Sequence, residues 1–331
     1  MLYMLKFNEE VFKFYFYFIQ ERMNIFWNRR HDAKTPWTQD PILQKYRFTN
    51  VYRAADRVSQ YLIKNVIYSN HDFTEEDIAV RVIIFKIFNK IETWELLQER
   101  LGVLSINNFD AEKISMVLTS RRTSHPIFNN AYMMSGTHSL YNHLTYKHEK
   151  WLQMVKKELI GKGVLKRIIK SKSLEEIYMH LKTCSFIGEF LAYQYSIDLN
   201  YSPLFGFDEN SFVKAGIGAI RGIKKCFIDI DKKDYERAIL FTLENFDELQ
   251  RKFGYTAFED LYGRKPTLID LQNCFCETDK YLRVKLPNLV IDNKRIKQTF
   301  SPADSPYALF FPPFWRLHWG SKTCESLNVG G

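Results

Sequence analysis

Val11-Phe12-Lys13-Phe14-Tyr15-Phe16-Tyr17-Phe18-Ile19 is the run that decides what kind of chain this is. A helix needs about 20 apolar residues to cross a bilayer, and this run is far shorter. Glu9, Glu10 and Glu21 flank it, and no signal-cleavage pattern follows. We therefore expect a buried amphipathic helix over about 8–28, and no membrane partner.

Composition points the same way. A chain of 331 residues with 46% hydrophobic and 16% aromatic side chains can bury a large core and lies well outside the range of disorder. Lys and Arg exceed Asp and Glu by 47 to 38, a formal net charge of +9. The excess is gathered in patches at 156–157, 162–172, 221–225 and 280–295. A polyanionic partner fits, because each phosphate contact releases counterions; solvated lysines on an ordinary basic protein would give the same sum. The cysteines, Cys184, Cys226, Cys274, Cys276 and Cys324, are odd in number and show no paired spacing. That argues for reduced thiols in a cytoplasmic protein. On a helix Cys274 and Cys276 point in different directions, which suits buried thiols better than a metal site.

Helical periodicity dominates the rest. Helices are expected at about 8–28, 50–68, 75–90, 92–100, 110–119, 137–160, 173–182, 186–197, 209–213, 218–227, 231–253 and 267–280. Thr74 with Asp77, and Ser173 with Glu176, have capping-box spacing. The best strand signal is 281–289. The fold class is thus mainly α, with a single helical domain over 1–300, divisible into lobes of about 1–135 and 136–300. An irregular, aromatic tail follows over 301–331.

Four segments carry polar residues that a core does not need. The first runs from Pro36-Trp37-Thr38-Gln39-Asp40 to Asn50-Val51-Tyr52-Arg53-Ala54-Ala55-Asp56-Arg57-Val58-Ser59-Gln60. As a helix from Asn50, it would align Asn50, Arg53, Arg57 and Gln60 in one stripe. The second, Leu181 to Ile197, reads as helix, turn, helix, with Gly188 opening the second helix and Asp198 ending it; hairpin amides of this kind hold a DNA phosphate. In the third, Gly216, Gly218 and Gly222 would let backbone amides approach an anion beside Arg221, Lys224 and Lys225, or else allow close helix packing. In the fourth, a helix places Asn273, Glu277, Lys280 and Tyr281 on one face, where Glu277 and Lys280 could also be an ordinary surface pair. No G-x-x-x-x-G-K-[ST] phosphate loop occurs. His31, His125, His138, His143, His148 and His318 lack zinc-enzyme spacing, and no metal ligand set is expected; a metal-free or Mg²⁺-assisted site is left.

Together, Pro36-Trp37-Thr38 with Asp40, Phe48 to Arg53 with Asp56-Arg57, Gly188 with Phe190-Leu191-Ala192 and Asp198-Leu199, Gly216-Ile217-Gly218 with Arg221-Gly222, and Cys276-Glu277 with Lys280 to Arg283 resemble the α-glutamyl/putrescinyl-thymine pyrophosphorylase family. These amino acid:DNA transferases are similar to the helical domain of 5-hydroxymethyluracil DNA kinases, and the resemblance runs in order from about 20 to 285. It implies a helix-hairpin-helix, DNA-glycosylase-like helical fold and a part in bacteriophage thymine hypermodification, in the host cytoplasm. The implied reaction replaces the pyrophosphate of pyrophosphorylated 5-hydroxymethyluracil in DNA with the amine of an amino acid or polyamine. Ile217 stands where proline is expected, and the iron-sulfur cysteines of some glycosylase relatives are missing.

That chemistry implies roles. Asp56, Asp198 and Glu277 are candidate proton acceptors for the amine, which is mostly protonated at neutral pH, and Lys280 completes the catalytic set. Trp37, Tyr52 and Tyr281 could hold a flipped base. Arg53, Arg57, Lys280 and Arg283 could stabilise departing pyrophosphate, and Arg30 or Arg221 could hold an amino-acid carboxylate. Asp40, Asn50 and Gln194 are further substrate-contact candidates, and Gly188, Gly216, Gly218, Lys224 and Lys225 are expected at DNA. No organic cofactor is implied. Two other readings use the same charge: a non-catalytic DNA-binding module, and a glycosylase-like base-processing enzyme.

Overall fold

The computed structural model describes residues 5–31, 34–130, 135–293, 296, 298–301 and 307–318. In chain order the α-helices are α1 Glu9–Arg30, α2 Pro41–Lys45, α3 Arg57–Tyr61, α4 Glu75–Phe88, α5 Ile91–Leu101, α6 Ala111–Arg122 and α7 Lys147–Met154. They continue with α8 Val164–Ile169, α9 Leu174–Lys182, α10 Glu189–Asn200, α11 Ile217–Cys226, α12 Tyr235–Glu244, α13 Phe246–Phe253 and α14 Leu268–Lys285. Among the described residues there is no β-strand, only the isolated bridges Phe7–Phe227, Tyr46–Thr299 and Leu261–Arg264. None of the described helices is long and apolar enough to cross a membrane. The chain is mainly helical, as its periodicity indicates.

Several local expectations change. The strand expected at 281–289 is the end of α14, followed by a 3-10 turn at Pro287–Leu289. A capping box between Thr267 and Asp270 opens that helix, and Tyr281 and Leu282 continue its buried face. Residues 209–213 are not helical, whereas Val164–Ile169 are. The expected helix over 231–253 is interrupted at Asn245, leaving α12 and α13.

The chain forms two compact units. The first takes residues 1–56, 213–309 and 315–331, and the second 57–212 and 310–314. The divisions fall at 56/57 and 212/213, not near 135/136, and the described tail residues 307–318 contribute to both units.

In the first unit α1, α2, α11 and α12 pack on α14. Asn8 caps α1 by accepting from the Val11 N–H, and Phe12, Tyr15, Phe16, Ile19, Met23 and Phe26 form its buried stripe. The rings of Tyr15 and Phe275 stack at 4.2 Å, and the Tyr15 hydroxyl donates to the Leu271 carbonyl at 3.0 Å. Where α11 meets α14, the glycines of α11 set the spacing. A Cβ at Gly222 would lie 2.1 Å from the Phe275 carbonyl oxygen, and one at Gly218 would lie 2.2 Å from Cys276 Sγ. The packing role, not an anion cradle, accounts for both glycines. Cys226 and Cys274 are buried free thiols in this core; Cys324 lies outside the described residues.

The second unit is centred on α4, whose residues from Asp77 to Phe88 are all buried. Its cap is the expected box of Thr74 with Asp77. Arg81, fully buried, donates to the carbonyls of Leu104 at 2.7 Å and Val66 at 3.2 Å, with its guanidinium over the ring of Phe73. Lys86 on α4 pairs with Asp198 on α10 at 3.2 Å, both side chains being buried. The α9–α10 pair is present, joined by a turn over 183–188.

The spacing of α11 and α14 yields a graded expectation. Gly222→Ala forces a methyl group onto backbone and should lower stability by about 3 kcal/mol, whereas Gly218→Ala meets a side chain and should cost about 1 kcal/mol. Urea midpoints of the two variants measure this; equal midpoints for both would contradict the close approach.

Candidate active site

Within the first unit a polar network joins α1, the segment 48–56 and α14. Arg22 on α1 donates from Nε to the Thr49 carbonyl and from a terminal nitrogen to Asn50 Oδ1, each at 3.0 Å. The Thr49 N–H donates to Glu277 Oε2 at 3.0 Å, and the same oxygen pairs with Lys280 Nζ at 2.7 Å. Lys280 also lies over the Phe48 ring, 4.6 Å from its centre. Of the residues expected on one face of α14, the Glu277–Lys280 pair is turned toward segment 48–56.

That segment is not the helix expected from Asn50. The Asn50 N–H donates to Asp56 Oδ1 at 2.8 Å, and Asn50 Nδ2 donates to the Ala55 carbonyl at 2.8 Å. These side-chain bonds compete with helical ones and close a turn instead. Arg53–Ala55 form a single 3-10 turn, and Asp56 is extended at φ −73°, ψ 145°. The proposed stripe of Asn50, Arg53, Arg57 and Gln60 is thus broken. Arg53 is buried, its N–H bonded to Asp270 Oδ1 at 2.8 Å.

Asp56 is the chemically distinctive member of the network. Burial, reinforced by the neighbouring Glu277, pushes its carboxyl up to about 7, against the pull of the Asn50 N–H and of Arg22 and Arg53. Such a group changes charge near neutrality, as a general base requires.

Asp40 organises the adjoining segment. Its Oδ1 caps α2 by accepting from the N–H groups of Ile42 and Leu43, and its Oδ2 accepts from the hydroxyls of Tyr17 and Tyr281, each at 2.8 Å. Burial alone would raise this carboxyl; the bonds from Tyr281, the Leu43 and Ile42 amides and Tyr17 outweigh it and hold it below the usual range. Next to this cap Trp37 borders two openings. One is a cleft of about 440 Å³ whose lining includes Trp27, Trp37, Glu21, Asn24, Asn28 and Glu259. The other is a recess of about 50 Å³ lined by Arg22, Arg29, Arg30, Trp37, Asn50 and Tyr307, among others.

The remaining candidates divide by burial. Tyr281 and Tyr52 are 1% and 2% exposed, so of the three aromatic candidates only Trp37 faces an opening. The Tyr52 hydroxyl bonds the Arg264 carbonyl and the Leu261 N–H. Arg283 and Lys225 both pair with the buried Asp279, at 2.5 and 2.8 Å. Arg221 lies 3.9 Å from Asp292, and Lys224 lies over the Tyr235 ring. Gly216 caps α11. In the second unit Arg57 is exposed near Glu92, Gln194 is buried, and Asp198 is held by Lys86. Gly188 caps α10 with open space around its Cα, while the Ser185 amide of the preceding turn is taken by Glu158 at 2.9 Å. Among the described residues no group of three or more His, Cys, Asp or Glu could hold a metal ion.

Arg22, Arg29 and Glu21 are functional candidates that the sequence reading missed. Their signal was the recurrence of charge at 21–22 and 29–30 on a helix otherwise rich in aromatics.

The raised carboxyl has a thermodynamic consequence. The folded state holds the Asp56 proton more tightly than the unfolded chain, a contribution complete below about pH 4 and lost as pH rises through about 7. Asp56→Asn cannot ionise, so it should gain stability relative to wild type between pH 4 and 8 in urea titrations. A difference independent of pH would contradict the shift.

Residues 9–290 match the family model described as 5-hmdU DNA kinase, helical domain. The chain is also similar to a protein of Bacillus phage SP10 named 5-hmdU DNA kinase, 25% identical over 284 residues. That alignment covers 81% of this chain and 44% of the phage protein, so the chain spans less than half the length of that relative. No solved structure matches. The matched stretch runs from the start of α1 past the end of α14 and contains every member of the network around Asp56 and Glu277. The chain belongs to the family of the 5-hmdU DNA kinase helical domain.

Proposed function

We propose that this chain acts in phage thymine hypermodification, in the infected host cytoplasm, as a transferase. Its substrate is DNA carrying 5-(pyrophosphoryloxymethyl)uracil, and its product carries an amine, from an amino acid or polyamine, in place of the pyrophosphate. The observation that carries this reading is the network in which Asp56, with its carboxyl near 7, stands among Arg22, Glu277 and Lys280. Membership of the kinase helical-domain family supports a 5-hydroxymethyluracil-derived base as substrate.

The step needs a nitrogen lone pair at the 5-methylene carbon. A new C–N bond forms there, the C–O bond to pyrophosphate breaks with its electron pair leaving on oxygen, and the ammonium proton passes to a carboxylate. Asp56 suits that proton transfer by its position on the pH scale. Trp37 offers a face for the unstacked base, and the carboxylates of Glu21 and Glu259 in the cleft suit the cationic amine before it reacts. The α9–α10 hairpin of the second unit fits a helix-hairpin-helix, glycosylase-like reading of the fold and, with the excess positive charge, a DNA contact.

Nucleoside mass spectrometry tests the reading. DNA containing the pyrophosphorylated base is incubated with the protein and a pool of amino acids and polyamines. A thymidine adduct with released pyrophosphate is expected, and Glu277→Gln and Lys280→Ala should each lower its yield by about 100-fold while leaving DNA binding in place. Unchanged substrate that binds would favour a DNA-binding module, and a missing base would favour a glycosylase.

A further inference from the structure

We propose that Arg22, Arg29 and Arg30, along one flank of α1, form a binding subsite for a phosphoryl oxyanion, the terminal part of the leaving group. This rests on the transferase reading for the identity of its ligand, but not for its existence.

The three arginines stand at i, i+7 and i+8, which returns them to the same side of a helix within about a quarter turn. They line a common recess with Asn50, Trp37 and Tyr307, too small for a base. Arg22 reaches Asn50 at the floor of this recess, and Asn50 bonds Asp56, so the recess adjoins the network that holds the proton acceptor. Arg30 is sandwiched by aromatic rings, with its guanidinium carbon 5.5 Å from the centre of Phe26 and 5.4 Å from that of Tyr307. Arg29 lies over Trp37 at 5.5 Å.

What sets Arg22 and Arg30 apart is their charge balance. Among the described residues neither Arg22 nor Arg30 is in an ion pair with a carboxylate. Of the other cations expected to meet pyrophosphate, Lys280 is engaged by Glu277 and Arg283 by Asp279. Desolvation lowers the pKa of both Arg22 and Arg30; the carboxylates of Asp56 and Glu277 offset part of this at Arg22, whereas no carboxylate is among the groups acting on Arg30. An incoming oxyanion supplies the missing charge, and planar guanidinium groups suit it by geometry.

Two sources offer that chemistry, the pyrophosphate on the modified base and the phosphodiester backbone, and binding experiments on the full chain separate them. Inorganic pyrophosphate and an unmodified DNA duplex are titrated calorimetrically into wild type, Arg30→Ala and Arg30→Lys. Arg30 is the residue of choice because, unlike Arg22, it does not anchor segment 48–56. Pyrophosphate affinity should fall about ten-fold or more in Arg30→Ala, with duplex affinity within two-fold of wild type and partial recovery in Arg30→Lys. Unchanged pyrophosphate affinity in Arg30→Ala, or no pyrophosphate binding by the wild-type chain, overturns the subsite. Equal losses for both ligands also overturn it, by assigning the arginines to backbone phosphates. If pyrophosphate binding responds as expected but no amine is ever transferred, the subsite stands and the transferase reading fails.

Discussion

The near-contact between Gly222 and the Phe275 carbonyl is the constraint from which the first unit is built. With no side chain at that point, α11 lies against the backbone of α14, and α1 packs on the same helix through the Tyr15–Phe275 stack. Position and rotation of α14 are thereby set at its middle. One turn further along, Glu277 and Lys280 meet segment 48–56, and Tyr281 meets Asp40. Arg22, Glu277 and Lys280 of the polar network thus stand on helices of the packed core, which is what preorganised chemistry requires.

Buried charge is used in two ways. Lys86 with Asp198, and Asp279 with Lys225 and Arg283, are closed pairs inside their units, where losing one partner would strand the other at a cost of about 3–5 kcal/mol. Such groups hold structure together and have little freedom to meet a substrate. Around Trp37, by contrast, carboxylates line the cleft and arginines line the recess. A reaction between a cationic amine and an anionic leaving group calls for such a separation of sign.

Much of the helical layout was legible in the sequence because it rests on local signals. The capping residues Thr74 and Ser173, the aromatic stripe of α1 and the face carrying Glu277 and Lys280 all follow from spacing within one helix. What was hidden depends on partners remote in sequence or on competing local bonds. Asp198 reads as a proton acceptor until Lys86 on another helix closes over it, and Tyr281 reads as a stacking platform until Asp40 takes its hydroxyl. The turn at Asn50–Asp56 was hidden because side-chain bonds to the backbone displaced a helix that periodicity favoured. Arg22 and Arg29 were obscured by the apolar run that precedes them.

The account stands or falls on Asp56 as the proton acceptor. The most direct test is the pH–rate profile of amine transfer by the wild-type chain and by Asp56→Asn under single-turnover conditions. Wild type should rise with pH through an inflection near 7, and the variant should be slower by about 100-fold or more with that inflection gone. A variant with wild-type rate and the same inflection would contradict it.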